Sequence, residues 1–454
     1  MIKYLPMFFI TAALLPAADR VTFSETIAPI VYNNCTTCHR PGEAAPFALL
    51  SYEDVKKRAA LIADVTKSRY MPPWHAAHGY GEFADERRLT DAQIASIAEW
   101  VKQGMPEGDP KKTPAVPQFT DGWHLGPPDL VLEMPDAYEM PASGPDIYRN
   151  FVIHTQIPED KWVRAVEFHP STRRVVHHVL FAHAPGGSMT KIDGRDGRPG
   201  FNGMSAIGVA GAQGGGGSLG GWAVGATPQF FPENLALPLP KGADIVLQMH
   251  FHLDGKVEKE RSTIGLYFAD QAPEKMLQVV QAPALFGIGT GLKIPAGKKD
   301  YVVEDSVTLP VEARAVSVSA HAHYLAKEMK ATATLPDGTV QPLLWIQDWD
   351  FAWQDRYNYK SPVTLPKGTR IDVRISYDNS ADNPRNPSSP PKEVEWGEQS
   401  FDEMGSVSVV VVAVNKADEM ALRQAMNQRG REAGIKALQD GTLRRFMASQ
   451  AASR

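Results

Sequence analysis

Three short runs of β-branched and apolar residues carry histidines where a strand normally carries only hydrocarbon. They are Val175-Val176-His177-His178-Val179-Leu180, Val246-Leu247-Gln248-Met249-His250-Phe251-His252, and the run that ends in His321-Ala322-His323. Together they hold nearly half of the chain's 13 histidines. Each reads as a β-strand. An imidazole placed inside a strand is costly unless its nitrogens find partners. A transition metal satisfies that need, and imidazole suits copper, zinc and iron. A lone histidine is most simply a hydrogen-bonded core or surface residue. An adjacent pair and two alternating pairs, all in strands, point instead to two metal sites.

The remaining composition fits a β-rich, multidomain host for those strands. The chain has 454 residues, enough for several domains, and 37 glycines and 36 prolines punctuate many short apolar runs. A net charge of −5 implies neither nucleic acid nor an anionic membrane surface as a partner. Residues 1–18 read as a signal peptide, with Lys3 before an apolar run from Leu5 to Leu15 and Pro16-Ala17-Ala18 after it. The run is too short to span a bilayer, and no other stretch is a candidate. The mature chain is expected to be periplasmic or secreted, with no integral membrane association after signal removal.

The only two cysteines lie in Cys35-Thr36-Thr37-Cys38-His39. This is the C-x-x-C-H pattern of covalent haem c attachment, with His39 as the proximal iron ligand. Export favours that reading over a redox dithiol or half a zinc site. Residues 52–69 have a helical pattern. Thr90-Asp91-Ala92-Gln93 opens another helix with a capping box, and Ile94, Ile97, Ala98 and Val101 form its apolar stripe before Gly104. Residues 19–108 thus resemble a small class I cytochrome c. Met71, in Arg69-Tyr70-Met71-Pro72-Pro73-Trp74, is the preferred sixth ligand, with His75 and His78 as alternatives. Met105 lies too close to the last helix cap.

A proline-rich linker, 109–124, leads to two expected all-β sandwich domains at 125–270 and 271–415, then to a helical tail at 416–454. Strands are predicted around Val152-Ile153, Trp162–Val166, Val175–Ala182, Asp300–Val303, Ser306–Leu309, Val316–Ala320, Lys330–Leu335, Leu343–Gln347, Ile371–Tyr377 and Ser406–Val414. The glycine-rich stretch 186–226 is no phosphate loop, because no Gly-Lys-Ser/Thr follows. It reads as a long surface loop bordering a site.

His321 and His323 are two apart, so a regular strand points both rings to one face. His177 and His178 are adjacent and reach one ion only if the backbone bulges or twists there. From spacing alone, His250 and His252 are equal candidates for the third donor. No cysteine is left for a blue-copper or zinc-thiolate site.

The set resembles the copper type II, ascorbate-dependent monooxygenases, which include peptidylglycine α-hydroxylating and dopamine β-monooxygenases. The likeness covers about residues 125–415. It implies two jelly-roll domains with one copper each. His177, His178 and, by its strand context, His250 match the electron-transfer copper ligands. His321 and His323 match the paired ligands of the oxygen-binding copper. Met404, in Asp402-Glu403-Met404, matches its thioether ligand, ahead of Met329 and Met204. The resemblance also gives Gln248 a part in ordering the cleft, while His154, His169, His183 and His252 are left as supporting or surface residues.

Departures are visible. The peptide-amidating enzymes carry an Arg where this chain has Ser319 and a Tyr where it has Ser408, which argues against a peptide C-terminal glycine as substrate. The expectation is a copper-dependent monooxygenase that hydroxylates a C–H bond of a small-molecule substrate with O2. A periplasmic electron donor would feed it through the fused haem. Its cofactors would be two copper ions and one haem c. A copper and haem electron-transfer or copper-binding protein without hydroxylase activity is the alternative, and a carbohydrate- or surface-binding β module is a second.

Overall fold

The computed structural model describes residues 20–452 apart from 44, 85, 120–121, 145, 203–216, 225 and 233–234. The leader at 1–18 and residues 203–216 of the glycine-rich stretch, Met204 among them, lie outside the described residues, while the described part of that stretch, expected as loop, includes strands at Phe201–Asn202 and Gly217–Ala223. The chain is β-rich with several helices and divides into two compact units. One unit takes its described residues from 20–41, 46–72 and 88–118, and the other comprises 42–45, 73–87 and 119 onward.

The smaller unit is helical in its regular elements: α1 (Ala28–Asn34), α2 (Tyr52–Lys57), α3 (Ala59–Lys67) and α4 (Asp91–Lys102). The run predicted as one helix over 52–69 is two, because Arg58 leaves helical geometry at φ −114°, ψ 6°. Thr90 caps α4 in the expected capping box with Gln93, and Gly104 follows in the left-handed region at φ +79°. Phe23, Ile27, Val31, Val55, Ile97 and Trp100 form the core. Residues 109–118, expected as linker, belong to this unit: Lys112 pairs with Glu25 at 2.7 Å and Thr113 Oγ1 donates to Ser24 Oγ at 2.9 Å.

The first half of the larger unit contains β1 (Leu130–Glu133), β2 (Tyr138–Met140), β3 (Ile147–His154), β4 (Lys161–His169), β5 (Val176–Ala184), β6 (Phe201–Asn202), β7 (Gly217–Ala223), β8 (Leu237–Leu239), β9 (Asp244–Phe251), β10 (Glu258–Glu260) and β11 (Thr263–Phe268). A five-stranded sheet runs β6-β3-β9-β5-β7 and a four-stranded sheet β1-β11-β4-β8. Both contribute to one core, with Phe151, Val179, Phe181 and Leu247 from the first and Val163, Phe168, Ile264 and Leu266 from the second. Every residue of β9 is buried, as expected of a central strand covered on both faces.

The second half contains β12 (Leu277–Ala282), β13 (Lys293–Ile294), β14 (Tyr301–Thr308), β15 (Ala313–Ala322), β16 (Ala326–Thr334), β17 (Val340–Ile346), β18 (Arg356–Leu365), β19 (Arg370–Tyr377), β20 (Val394–Glu395) and β21 (Gly405–Ala413). The sheets run β12-β21-β15-β18 and β14-β19-β16-β17, with one shared core. The two strands expected at 300–303 and 306–309 are the single strand β14. Its residues alternate in burial, so Glu304 and Ser306 continue the ladder on the outer face.

Residues 73–87, placed by sequence within the haem segment, pack on this half instead. Ala77 N donates to Trp345 O at 2.7 Å, and Phe83 stacks on Tyr359 with ring centroids 5.3 Å apart. The tail forms α5 (Glu419–Gln439) and α6 (Thr442–Ala452). Leu422 and Ala437 are buried, and Arg429 pairs with Asp305 of β14 at 2.6 Å. No described helix is long and apolar enough to cross a membrane.

Candidate metal centres

The β5–β9 ladder slips by one residue at the histidine pair. Val176 opposes Phe251, yet His178 opposes His250, so His177 is the extra residue of a bulge. That bulge turns both adjacent rings to one side. The Nδ1 atoms of His177 and His178 lie 3.1 Å apart, those of His177 and His250 3.1 Å, and those of His178 and His250 3.4 Å. Three nitrogens about 2 Å from one ion in a tetrahedral set would stand roughly 3.3 Å apart. The triangle is therefore the right size for a first-row metal.

The outward nitrogens decide which tautomer faces inward. His177 Nε2 meets the carbonyl of Ala352 at 3.1 Å, and His250 Nε2 meets Asp146 Oδ2 at 2.9 Å. Both partners only accept, so these Nε2 atoms carry the protons and the Nδ1 lone pairs point at each other. Burial keeps all three rings neutral. It lowers His177 to about 4 and His178 well below the ordinary histidine range, with the neighbouring His250 adding to both. Burial also lowers His250, against the pull of Asp146. Tyr148 stacks on His250 with centroids 4.2 Å apart and fixes its plane. His252 is exposed and turns to Asp146 Oδ1 at 3.0 Å, so His250 is the histidine of this strand that joins the cluster. Gln248, two residues earlier on β9, donates to Asn150 Oδ1 at 3.3 Å.

The second set uses the opposite nitrogens. His321 is the penultimate residue of β15, His323 follows the strand, and Met404 immediately precedes β21, the ladder neighbour of β15. His321 Nε2 lies 3.2 Å from Met404 Sδ. Its Nδ1 donates to Gln354 Oε1 at 2.6 Å, and His323 Nδ1 donates to the carbonyl of Asp402 at 3.2 Å. His323 Nε2 is buried with no hydrogen-bond partner, an orphan lone pair beside a thioether. Burial lowers His321 to about 4 and His323 well below its usual range.

Glu403 clasps this corner, its carboxylate oxygens accepting from the backbone N–H groups of His323 (2.6 Å), Met404 (2.9 Å) and Leu325 (2.9 Å). Burial pushes its carboxyl up to about 8 despite those donors. Gly405 is required here for a steric reason: a Cβ would stand 2.2 Å from the Tyr377 hydroxyl, which donates to the carbonyl of Met404.

One loop touches both sets. The Phe351 ring lies 5.7 Å from His177, 5.9 Å from His250 and 5.7 Å from His323, centroid to centroid. Trp349 Nε1 donates to the His323 carbonyl at 3.0 Å, while Ala352 and Gln354 hold His177 and His321 as above. No motif marks Asp146, Phe351, Gln354 or Glu403 in the sequence; they emerge only from the fold.

In the smaller unit, Cys35 and Cys38 lie on the turn that closes α1, and the backbone N–H of His39 donates to the Cys35 carbonyl at 2.9 Å. His39 Nδ1 donates to the Phe47 carbonyl at 3.1 Å, leaving Nε2 as the lone pair. Burial pushes the Cys35 thiol up to about 12, with Cys38 adding to it, unlike an activated redox thiol. Met71 is half-buried just after α3, its N–H donating to the Val65 carbonyl at 3.1 Å. The alternatives His75 and His78 belong to the other unit, where His75 Nδ1 donates to the Asp348 carbonyl at 3.1 Å and His78 pairs with Glu86 at 3.2 Å.

No family model matches the chain, and no curated protein matches it. Among solved structures it is similar to the VP2 subviral particle of infectious bursal disease virus, at 11% identity and TM-score 0.18 over 64% of this chain and 74% of that one. It is also similar to the major capsid protein P2 of bacteriophage PM2, at 10% identity and TM-score 0.23 over 61% and 97%. A two-domain protein of unknown function from Bacteroides fragilis aligns at 10% identity and TM-score 0.15, over 62% and 94%. At these scores the similarities carry no functional argument.

Proposed function

We propose that the chain is an exported copper-dependent monooxygenase with an N-terminal cytochrome c domain and two jelly-roll copper domains. It would hydroxylate a C–H bond of a small organic substrate with O2, taking electrons through a covalent haem c. The observation that carries this reading is the convergence of two unlike donor sets in one compact unit, His177/His178/His250 and His321/His323/Met404.

The donors fit copper on their chemistry. They are neutral imidazoles and one thioether, with no carboxylate among them, and a thioether favours Cu(I). His39, with Cys35 and Cys38 on the same turn, fits haem c in the same way, and Met71 remains the proposed sixth ligand. When bound, copper would supply one-electron storage and oxygen activation, and haem c the relay of electrons to it.

The chain's own residues do the positioning. Asp146 and the Ala352 carbonyl hold the protons of His250 and His177 away from the first centre. Gln354 and the Asp402 carbonyl do the same for His321 and His323 at the second. Glu403 fixes His323 and Met404 through their backbones. Phe351 lies against rings of both sets, Trp349 holds the His323 carbonyl, and both side chains are buried.

The test is oxygen uptake by copper-loaded protein reduced through its haem. Uptake that needs copper and disappears in His321→Ala supports the reading. Stoichiometric copper and haem with no oxygen turnover under any candidate substrate favours the electron-transfer alternative.

A further inference from the structure

We propose that His124, Glu167 and His169 form a third metal site, for a borderline divalent cation such as zinc, that clamps the approach to β1 onto the sheet. The argument does not depend on the copper reading. Glu167 and His169 are two apart near the end of β4, and His124 precedes β1. Glu167 Oε1 lies 2.8 Å from His124 Nδ1 and 2.8 Å from His169 Nε2. The three donor atoms fall within 4.8 Å of one another. The two rings meet at 85° with centroids 6.3 Å apart, so they converge on the carboxylate instead of stacking. Trp123 lies flat on His169 at 4.2 Å and holds that ring in place.

Donor geometry is what points to a cation: against the cost of burial, hydrogen bonds from His169 and His124 lower the Glu167 carboxyl to about 2, so an ionised oxygen stands between two imidazoles. The Glu167 side chain is 2% exposed, and among the described residues no lysine or arginine pairs with it. A buried carboxylate needs a positive partner or a full set of donors. Its Oε2 accepts from the Leu125 N–H at 3.2 Å and the Tyr267 hydroxyl at 3.1 Å, and its Oε1 also accepts from the His124 N–H at 2.8 Å. That leaves Oε1 facing His124 Nδ1 and His169 Nε2, which a divalent ion binds when each neutral ring carries its proton on the other nitrogen, His124 on Nε2 and His169 on Nδ1. The rings are 34% and 22% exposed, so an ion can enter and water can complete its shell. Two imidazoles and a carboxylate are a harder donor set than either copper-type set, and one that zinc takes readily. An ion there would join the segment at Trp123–Leu125 to β4, and through Tyr267 to β11.

The experiment uses full-length protein stripped by chelator, equilibrated with zinc and passed through gel filtration. Zinc per chain is then measured by mass spectrometry in wild type, His169→Ala and His124→Gln. Each variant is expected to hold one zinc fewer than wild type. A zinc-dependent rise in Tm, on the order of a few degrees, is expected in wild type and reduced in both variants. Equal zinc content in wild type and variants overturns the site, whatever the other histidine sets bind. If His169→Ala fails to fold, His124→Gln decides alone, because His124 lies outside the strands.

Discussion

The two histidine sets of the larger unit solve the same problem in opposite ways. The first is made by a bulge: one extra residue in β5 puts His177, His178 and His250 side by side, and all three offer the near nitrogen, Nδ1. The second is made at strand ends. His321 lies near the end of β15 and Met404 just before its ladder neighbour β21, and His321 meets the sulfur through its far nitrogen, Nε2. For four of the five rings what selects the nitrogen is the acceptor behind it: Ala352 O for His177 and Asp146 for His250 at the first set, Gln354 for His321 and Asp402 O for His323 at the second. The lesson is that second partners, more than histidine spacing, decide which lone pair a metal meets. A set containing a buried thioether favours the reduced ion.

That contrast can be broken one centre at a time. The largest effect is expected from His178→Ala, which should remove one copper per chain and leave the sulfur-bearing centre intact; metal analysis with X-ray absorption checks this. Gly405→Ala should do the reverse. Its Cβ meets the Tyr377 hydroxyl that donates to the Met404 carbonyl, so that hydrogen bond must give way and Met404 loses its anchor, at a cost of about 1–3 kcal/mol in unfolding free energy. Denaturant titration gives that cost, and loss of copper–sulfur scattering shows the shift.

Asp146→Asn should weaken copper at the first centre by roughly 10–100-fold in a competition titration, with the second unchanged. Gln354→Ala is expected to have the smallest effect, a loss of roughly 10-fold in affinity at the second centre alone. If either conservative change weakened both centres equally, the two sets would be one coupled cluster, joined through the Phe351 loop.

Much of this was legible in the chain. Short β-branched apolar runs placed β3, β4, β5, β9, β15, β16, β17, β19 and β21, and the adjacency of His177 and His178 called for a bulge or a twist, of which the ladder contains the bulge. Thr90 and Gln93 announced α4. Other features were hidden for physical reasons. β18 carries Arg356, Lys360 and Pro362 and lacks a clean alternation, because it is the edge strand of its sheet, where charge and proline are tolerated. Residues 73–87 have no strand or helix pattern, and their place was set by packing against Trp345 and Tyr359. Glu403 was visible only as a neighbour of Met404. Its grip on the backbone N–H groups of His323 and Leu325 across the corner is a property of tertiary structure. Phe351 reads in sequence as an ordinary loop aromatic.

The most direct test of the account is X-ray absorption at the copper edge on the reduced, copper-loaded protein, with metal content measured on the same sample. The account predicts two coppers per chain bound by His177/His178/His250 and by His321/His323/Met404. One sulfur scatterer should be shared across the pair and should vanish in Met404→Leu. Nitrogen-only scattering in the wild type, or sulfur that survives that substitution, would contradict it.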